Sequence, residues 1–118
     1  MIIPVLRGIN CFDVENLESY RPASSSFSLI IEVDVGTSNH DGTDIFQFRV
    51  CTAEWLQEKY YDEIVFLRGV ILVTNFSYPV LRQRIEKLVK SISADDWKEY
   101  ATKLSRWGQW EFEDDKDF

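Results

Sequence analysis

Residues 27–51, FSLIIEVDVGTSNHDGTDIFQFRVC, decide the fold. In the first part Phe27, Leu29, Ile31, Val33 and Val35 fall on one side, and Ser28, Glu32 and Asp34 on the other. A strand turns successive side chains to opposite faces, so this period of two predicts a half-buried strand over 27–36. GTSNHDGTD, over 36–44, is turn chemistry throughout. IFQFRVC then alternates again, with Phe46, Phe48 and Val50 opposing Gln47 and Arg49. Two alternating runs around a Gly/Asn/Asp-rich loop predict a long antiparallel hairpin.

Beyond the hairpin, Thr52 is placed to cap a short helix, AEWLQEKYY, whose Glu54 favours the first turn. IVFLRGVILVT, over 64–74, is strongly apolar and β-branched and predicts a central strand. Its start is open, since Gly69 reads either as a bulge or as the true beginning. The intervening helix allows this strand to run parallel to its neighbour.

Two helices follow. Ser77 caps the first, Pro79 lies in its opening turn, and Leu81, Ile85, Leu88, Val89 and Ile92 recur at helical spacing. Ser93 opens the second, with Asp96 completing a capping-box pattern. Trp97, Tyr100, Ala101 and Leu104 form its apolar stripe, which predicts a core position for Trp97, and Gly108 offers a left-handed stop.

Toward the N-terminus, MIIPVLRGINCF reads as a strand that Pro4 confines to an edge, and DVENLESYRPASSS as a loop. Strands followed by helices predict an α+β fold. The expected architecture is a mainly antiparallel sheet of four or five strands, two C-terminal helices on one face, and a short helix before the last long strand.

The 118 residues suit one domain, 1–118, with an acidic tail over 111–118. The formal charge of −7 is unevenly placed. Residues 1–64 hold four basic and eleven acidic side chains, residues 65–110 eight and four, and residues 111–118 one and five. Such a field repels nucleic acid and attracts cationic partners. Cys11 and Cys51 each sit in an apolar run and read as free buried thiols. No run approaches the ~20 apolar residues of a membrane span. The apolar residues at the N-terminus follow no basic leader, so a cytoplasmic protein with no membrane partner is expected.

Catalytic chemistry finds little material. His40 is the one histidine and lies in turn sequence. A Cys51–His40 nucleophile pair requires a reactive thiolate, whereas Cys51 ends an apolar strand. His40, Asp41 and Asp44 lack the ligand count and spacing of a calcium loop, so no metal is expected. Asp95–Asp96 suit a helix N-terminus and Asp114–Asp115 suit water, not the facing carboxylates of a glycosidase. Neither a phosphate-cradling glycine loop nor a basic-aromatic nucleic-acid motif is present. A small cysteine- or metal-dependent hydrolase and an acidic adaptor are the alternatives to a binding protein.

Two stretches carry a family likeness. DIFQFRVCTAEWL is a strand ending in Val-Cys-Thr and running into a Trp-Leu helix. DDWKEYATKLSRWGQWEFED runs from Asp-Asp-Trp through Lys-Leu-Ser to Trp-Gly and Trp-Glu-Phe-Glu-Asp. In that order, with an apolar strand and a Tyr-Pro-Val-Leu helix start between, they resemble the immunity protein 8 family of bacterial polymorphic toxin and contact-dependent inhibition systems. Ala53 stands where that family usually has proline, which touches only a helix start. The resemblance implies an intracellular antidote that binds and neutralises one cognate toxin domain, without catalytic residues or cofactor.

It also makes sense of the closing stretch. Trp107, Trp110 and Phe112 are expected to pin it to the domain, while Glu111, Glu113, Asp114, Asp115 and Asp117 face outward. If the toxin is a basic nuclease, those carboxylates are candidate partner-binding residues, together with Glu15, Glu18, Asp41 and Asp44 of the loops.

Overall fold

The hairpin over 27–51 forms in the register that its alternation demands. In the computed structural model, which describes residues 1–114, β2 (Ser28–Thr37) pairs antiparallel with β3 (Thr43–Cys51), Leu29 opposite Val50 and Val33 opposite Phe46. Leu29, Ile31, Val33, Val35, Phe46, Phe48 and Val50 are all buried on one face. Each such side chain contributes about 1.5–3 kcal/mol, so a one-residue slip of register would expose the whole set.

β1 (Pro4–Asn10) pairs antiparallel with β2 at one edge of the sheet, as Pro4 requires. A bulge between Leu6 and Gly8 absorbs Arg7 and keeps both Leu6 and Ile9 on the buried face. Thr52 caps α1 (Ala53–Lys59): its buried hydroxyl accepts from Trp55 N and from Phe27 N. α1 returns the chain so that β4 (Val70–Leu72) runs parallel to β3. The strand expected over 64–74 is confined to three residues. Gly69, at φ 75°, is its true start, in a conformation that a side chain would strain. Residues 64–68 form no strand.

α2 (Tyr78–Ser91) and α3 (Trp97–Leu104) supply Leu81, Ile85, Val89, Tyr100, Ala101 and Leu104 to the core. The buried Tyr100 hydroxyl donates to Val89 O at 2.7 Å and ties the two helices together. Burial holds that phenol well above its ordinary range. Three start and stop expectations are corrected. Ser77 sits at the N-cap of α2, yet its hydroxyl makes no cap bond. Asp96, not Ser93, opens α3 by accepting from Glu99 N at 2.8 Å. Gly108 has no positive φ; it is small because a Cβ there would lie 2.5 Å from the Phe48 ring.

β5 (Gln109–Trp110) completes five strands by pairing antiparallel with β3, beside β4. The fold is thus α+β, with a mostly antiparallel sheet and two C-terminal helices. At the end of the sheet away from the β2–β3 turn, Tyr20, Phe27 and Phe76 meet edge to face, with ring centroids 5.3–6.3 Å apart. Cys51 is buried and Cys11 half-buried; both are free thiols. None of the described helices is long and apolar enough to cross a membrane.

Candidate functional site

Asp44 lies at the start of β3, two residues before Phe46, so strand alternation turns it toward the helices. Its Oδ2 accepts from Trp97 Nε1 at 2.7 Å and from Trp110 Nε1 at 2.9 Å. One carboxylate oxygen therefore gathers indoles from 53 and 66 residues away. Trp110 stacks nearly parallel to Phe46 at 6.4 Å, Phe112 meets Trp110 edge-on, and Trp97 stacks on Tyr100 at 5.3 Å. A charged acceptor makes such bonds roughly twice as strong as neutral ones. Trp97 was expected in the core; it is half-buried, with its ring on the core and its N–H on this carboxylate.

The two acids beside the aromatic anchors are fastened as well. Glu111 Oε1 accepts from Ile45 N at 2.9 Å, while Glu111 N donates to Ile45 O at 3.0 Å. Glu113 takes both guanidinium nitrogens of Arg68, at 2.6 and 3.0 Å, and Arg68 also donates to Ser105 O at 2.9 Å. That bidentate bond holds the Glu113 carboxyl below its ordinary value, against the opposing pull of partial burial, and holds Arg68 above its own. Trp107, expected as a third anchor, is instead 57% exposed. It follows the end of α3, and the pinning falls to Trp110 and Phe112.

Above Asp44, the β2–β3 turn and the α2–α3 connection enclose a cleft of about 420 Å³, lined in part by His40, Asp44, Asp95, Asp96 and Trp97. Arg7, the bulged residue of β1, steadies the turn by donating to Thr37 O and to His40 O, each at 2.6 Å. Asp41 stands exposed at the turn's tip. The turn end of the sheet thus collects Asp41, Asp44 and Glu111. Glu15 and Glu18 lie elsewhere, beyond the Asn10 end of β1, on a smaller cleft shared with Tyr78. Asp114 is exposed close enough to Arg68 to favour its charge. Asp115 and Asp117 lie outside the described residues.

The groups weighed for nucleophilic chemistry are held apart. His40 precedes β3, and Cys51 closes its far end, nine strand residues on, a span of about 30 Å at the usual rise. Burial pushes the Cys51 thiol up, away from the reactive thiolate, and outweighs the opposing charge of Arg49. Among the described residues no three His, Cys, Asp or Glu side chains gather to hold an ion. The surface offers charge and hydrogen-bond acceptors.

A second surface escaped the sequence reading. Tyr61, Ile64 and Phe66, assigned to a helix end and a buried strand, stand exposed between α1 and β4, Phe66 completely so. The sequence signal is Asp62–Glu63, two charges immediately before the apolar run, and Asp62 adopts a left-handed backbone at φ 59°. Behind this segment the outer face of the sheet forms a cleft of about 340 Å³, with Ile30, Leu56, Phe66 and Val70 on its walls. Arg49 crosses that face, bonded to Ser28 and stacked 4.6 Å over the Trp55 ring.

A family model described as Immunity protein 8 matches residues 4–115 of the 118. No curated protein and no solved structure matches the chain.

Proposed function

The chain belongs to the immunity protein 8 family, and from that premise we propose that it binds and neutralises one cognate toxin domain. The partner is the basic C-terminal domain of a toxin, a nuclease carried by a polymorphic toxin or contact-dependent inhibition system. The observation that carries this reading is the family match across nearly the whole chain. The distribution of charge supports the basic partner: −7 overall, with exposed carboxylates at several places on the surface.

In this reading the acids divide the work. Glu15, Glu18, Asp41 and Asp114, with Asp115 and Asp117, supply the field that steers a basic domain into contact. Asp44, Glu111 and Glu113 are engaged within the fold and hold the closing segment in place. The protein acts in the cytoplasm by binding, without cofactor, metal or nucleic acid.

The test is co-expression with the toxin C-terminal domain encoded by the adjacent gene, followed by purification of the pair. Restored growth and a stoichiometric complex are expected. Rescue without a complex, through loss of the toxin's chemical integrity, would replace binding with catalysis.

A further inference from the structure

The two edges of the sheet are finished differently. The β1 edge has Pro4, which lacks an N–H, and the Arg7 bulge, and α2 packs beside it. These are the usual protections of an edge against a foreign strand. Its N-terminal flank is occupied too: Ile2 N donates to Ala94 O.

The β4 edge has neither proline nor bulge nor charge within Val70–Leu72. Arg49 N donates to Gly69 O, and Val73 N to Cys51 O, so the inward groups of this ladder belong to odd-numbered residues. By alternation Val70 and Leu72 turn their N–H and C=O groups the other way. No strand among the described residues pairs with that side. Apolar surface flanks it on both faces. Between β4 and α2 runs a groove of about 460 Å³ walled by Ile71, Leu72, Val80 and Leu81. On the outer face lies the cleft behind Phe66, with Leu72 60% exposed and Ile64 95% exposed nearby in the chain.

We propose that an extended segment of the toxin domain pairs with the open side of β4 and sends alternate side chains into these two grooves, with Ile64 and Phe66 gripping the partner beside it. The proposal rests on the toxin-neutralising reading above. β4 is short, so the ladder is limited to the outward groups of Val70 and Leu72, and the flanking grooves contribute the rest of the contact. Charge on one side of the edge, together with the family, indicates the occupant. The segment leading into this edge carries Glu54, Glu58, Asp62 and Glu63 against Lys59. On the outer face the cations are engaged, Arg49 on Trp55 and Ser28, and Arg68 on Glu113, while exposed Arg84 lines the groove on the α2 side. A basic segment would find acid along the outer-face side of the apolar strip, and the family membership points to a toxin rather than a second copy of this chain as its occupant.

The experiment uses the full chain and the purified toxin domain encoded by the adjacent gene. Hydrogen exchange should slow at the Val70 and Leu72 amides by about tenfold or more in the complex. Leu72→Glu and Phe66→Ser should each weaken binding by about tenfold or more. Their thermal unfolding should match that of wild type, because both side chains are exposed. Phe12→Ser, at an exposed aromatic in the 11–27 loop, should leave binding unchanged. A complex that forms with unaltered exchange at both amides, and with wild-type affinity for both variants, would overturn the strand pairing and leave the family reading intact. Absence of a complex with wild type would overturn both. Self-association abolished by Leu72→Glu would assign the edge to a second copy.

Discussion

Asp44 and Asp41 lie three residues apart in one turn sequence and have opposite fates. Asp44 sits in the β3 register, turned inward, and receives two indole N–H groups. Asp41 stands at the tip, exposed. The contrast extends across the surface: Glu111 and Glu113 are bound into the fold, whereas Glu15, Glu18 and Asp114 are not. Formal charge therefore overstates the acid available to a partner. A carboxylate that holds a backbone N–H or a guanidinium is a structural member first.

The sharpest way to break this contrast is Asp44→Ala. Removing the shared acceptor leaves two half-buried indole N–H groups without their partner and should destabilise by about 2–4 kcal/mol. Asp44→Asn, which keeps one carbonyl oxygen, should cost less. Urea unfolding measures both, and a loss below about half a kcal/mol for the alanine variant would place Asp44 with the free acids. Next comes Glu111→Ala, which withdraws the acceptor from Ile45 N at the β5 end of the sheet. About 1 kcal/mol is expected, with hydrogen exchange rising first at Ile45 and Trp110.

Glu113→Gln should cost less again, at most about 1 kcal/mol, because Arg68 is well exposed and solvent screens the pair. Its pH dependence is the clearer signature. The folded carboxyl titrates below its ordinary value near 4.5. Its contribution is therefore fully present above that value and is lost as pH falls through the depressed one. Wild type should lose stability relative to the glutamine variant only below about pH 4.5. Parallel stability curves down to pH 3 would remove the ion pair from the account. Arg68 is shifted further from neutrality and adds nothing in this window.

The smallest effect on folding should come from neutralising Glu15, Glu18, Asp41 and Asp114 together. Exposed charges of this kind change stability by about half a kcal/mol or less. Association with a basic toxin domain should nevertheless slow, and its salt dependence flatten, as charges beyond about 8–10 Å are screened. Identical association rates at low salt would show that these acids do not steer.

What the sequence discloses follows from how local each cause is. The β2–β3 hairpin is legible because alternation and turn chemistry lie within 25 residues, 27–51. The parallel placement of β4 is legible because a helix intervenes. IVFLRGVILVT misleads over its first half because a continuous apolar run carries no period to show which residues are covered. Only Val70–Leu72 find a partner strand, and the preceding residues stay outside. Gly108 reads as a helix stop because glycine commonly is one. Its real constraint, the Phe48 ring, lies 60 residues back in the chain. The acids were legible as a composition and not as a site. Which carboxylates are engaged depends on Trp97, Trp110, Ile45 and Arg68, contacts spanning 45 to 66 residues.

The shared acceptor at Asp44 also gives the molecule an optical signature. Its tryptophans occupy distinct settings: Trp97 and Trp110 on one carboxylate, Trp55 beneath a guanidinium, and Trp107 facing water. Loss of the carboxylate contact would alter two emitters together, while a neutral quencher such as acrylamide reaches Trp107 first. Fluorescence can thus follow the fastening of the closing segment separately from the state of the sheet, and a partner seated on the outer face would announce itself through Trp55.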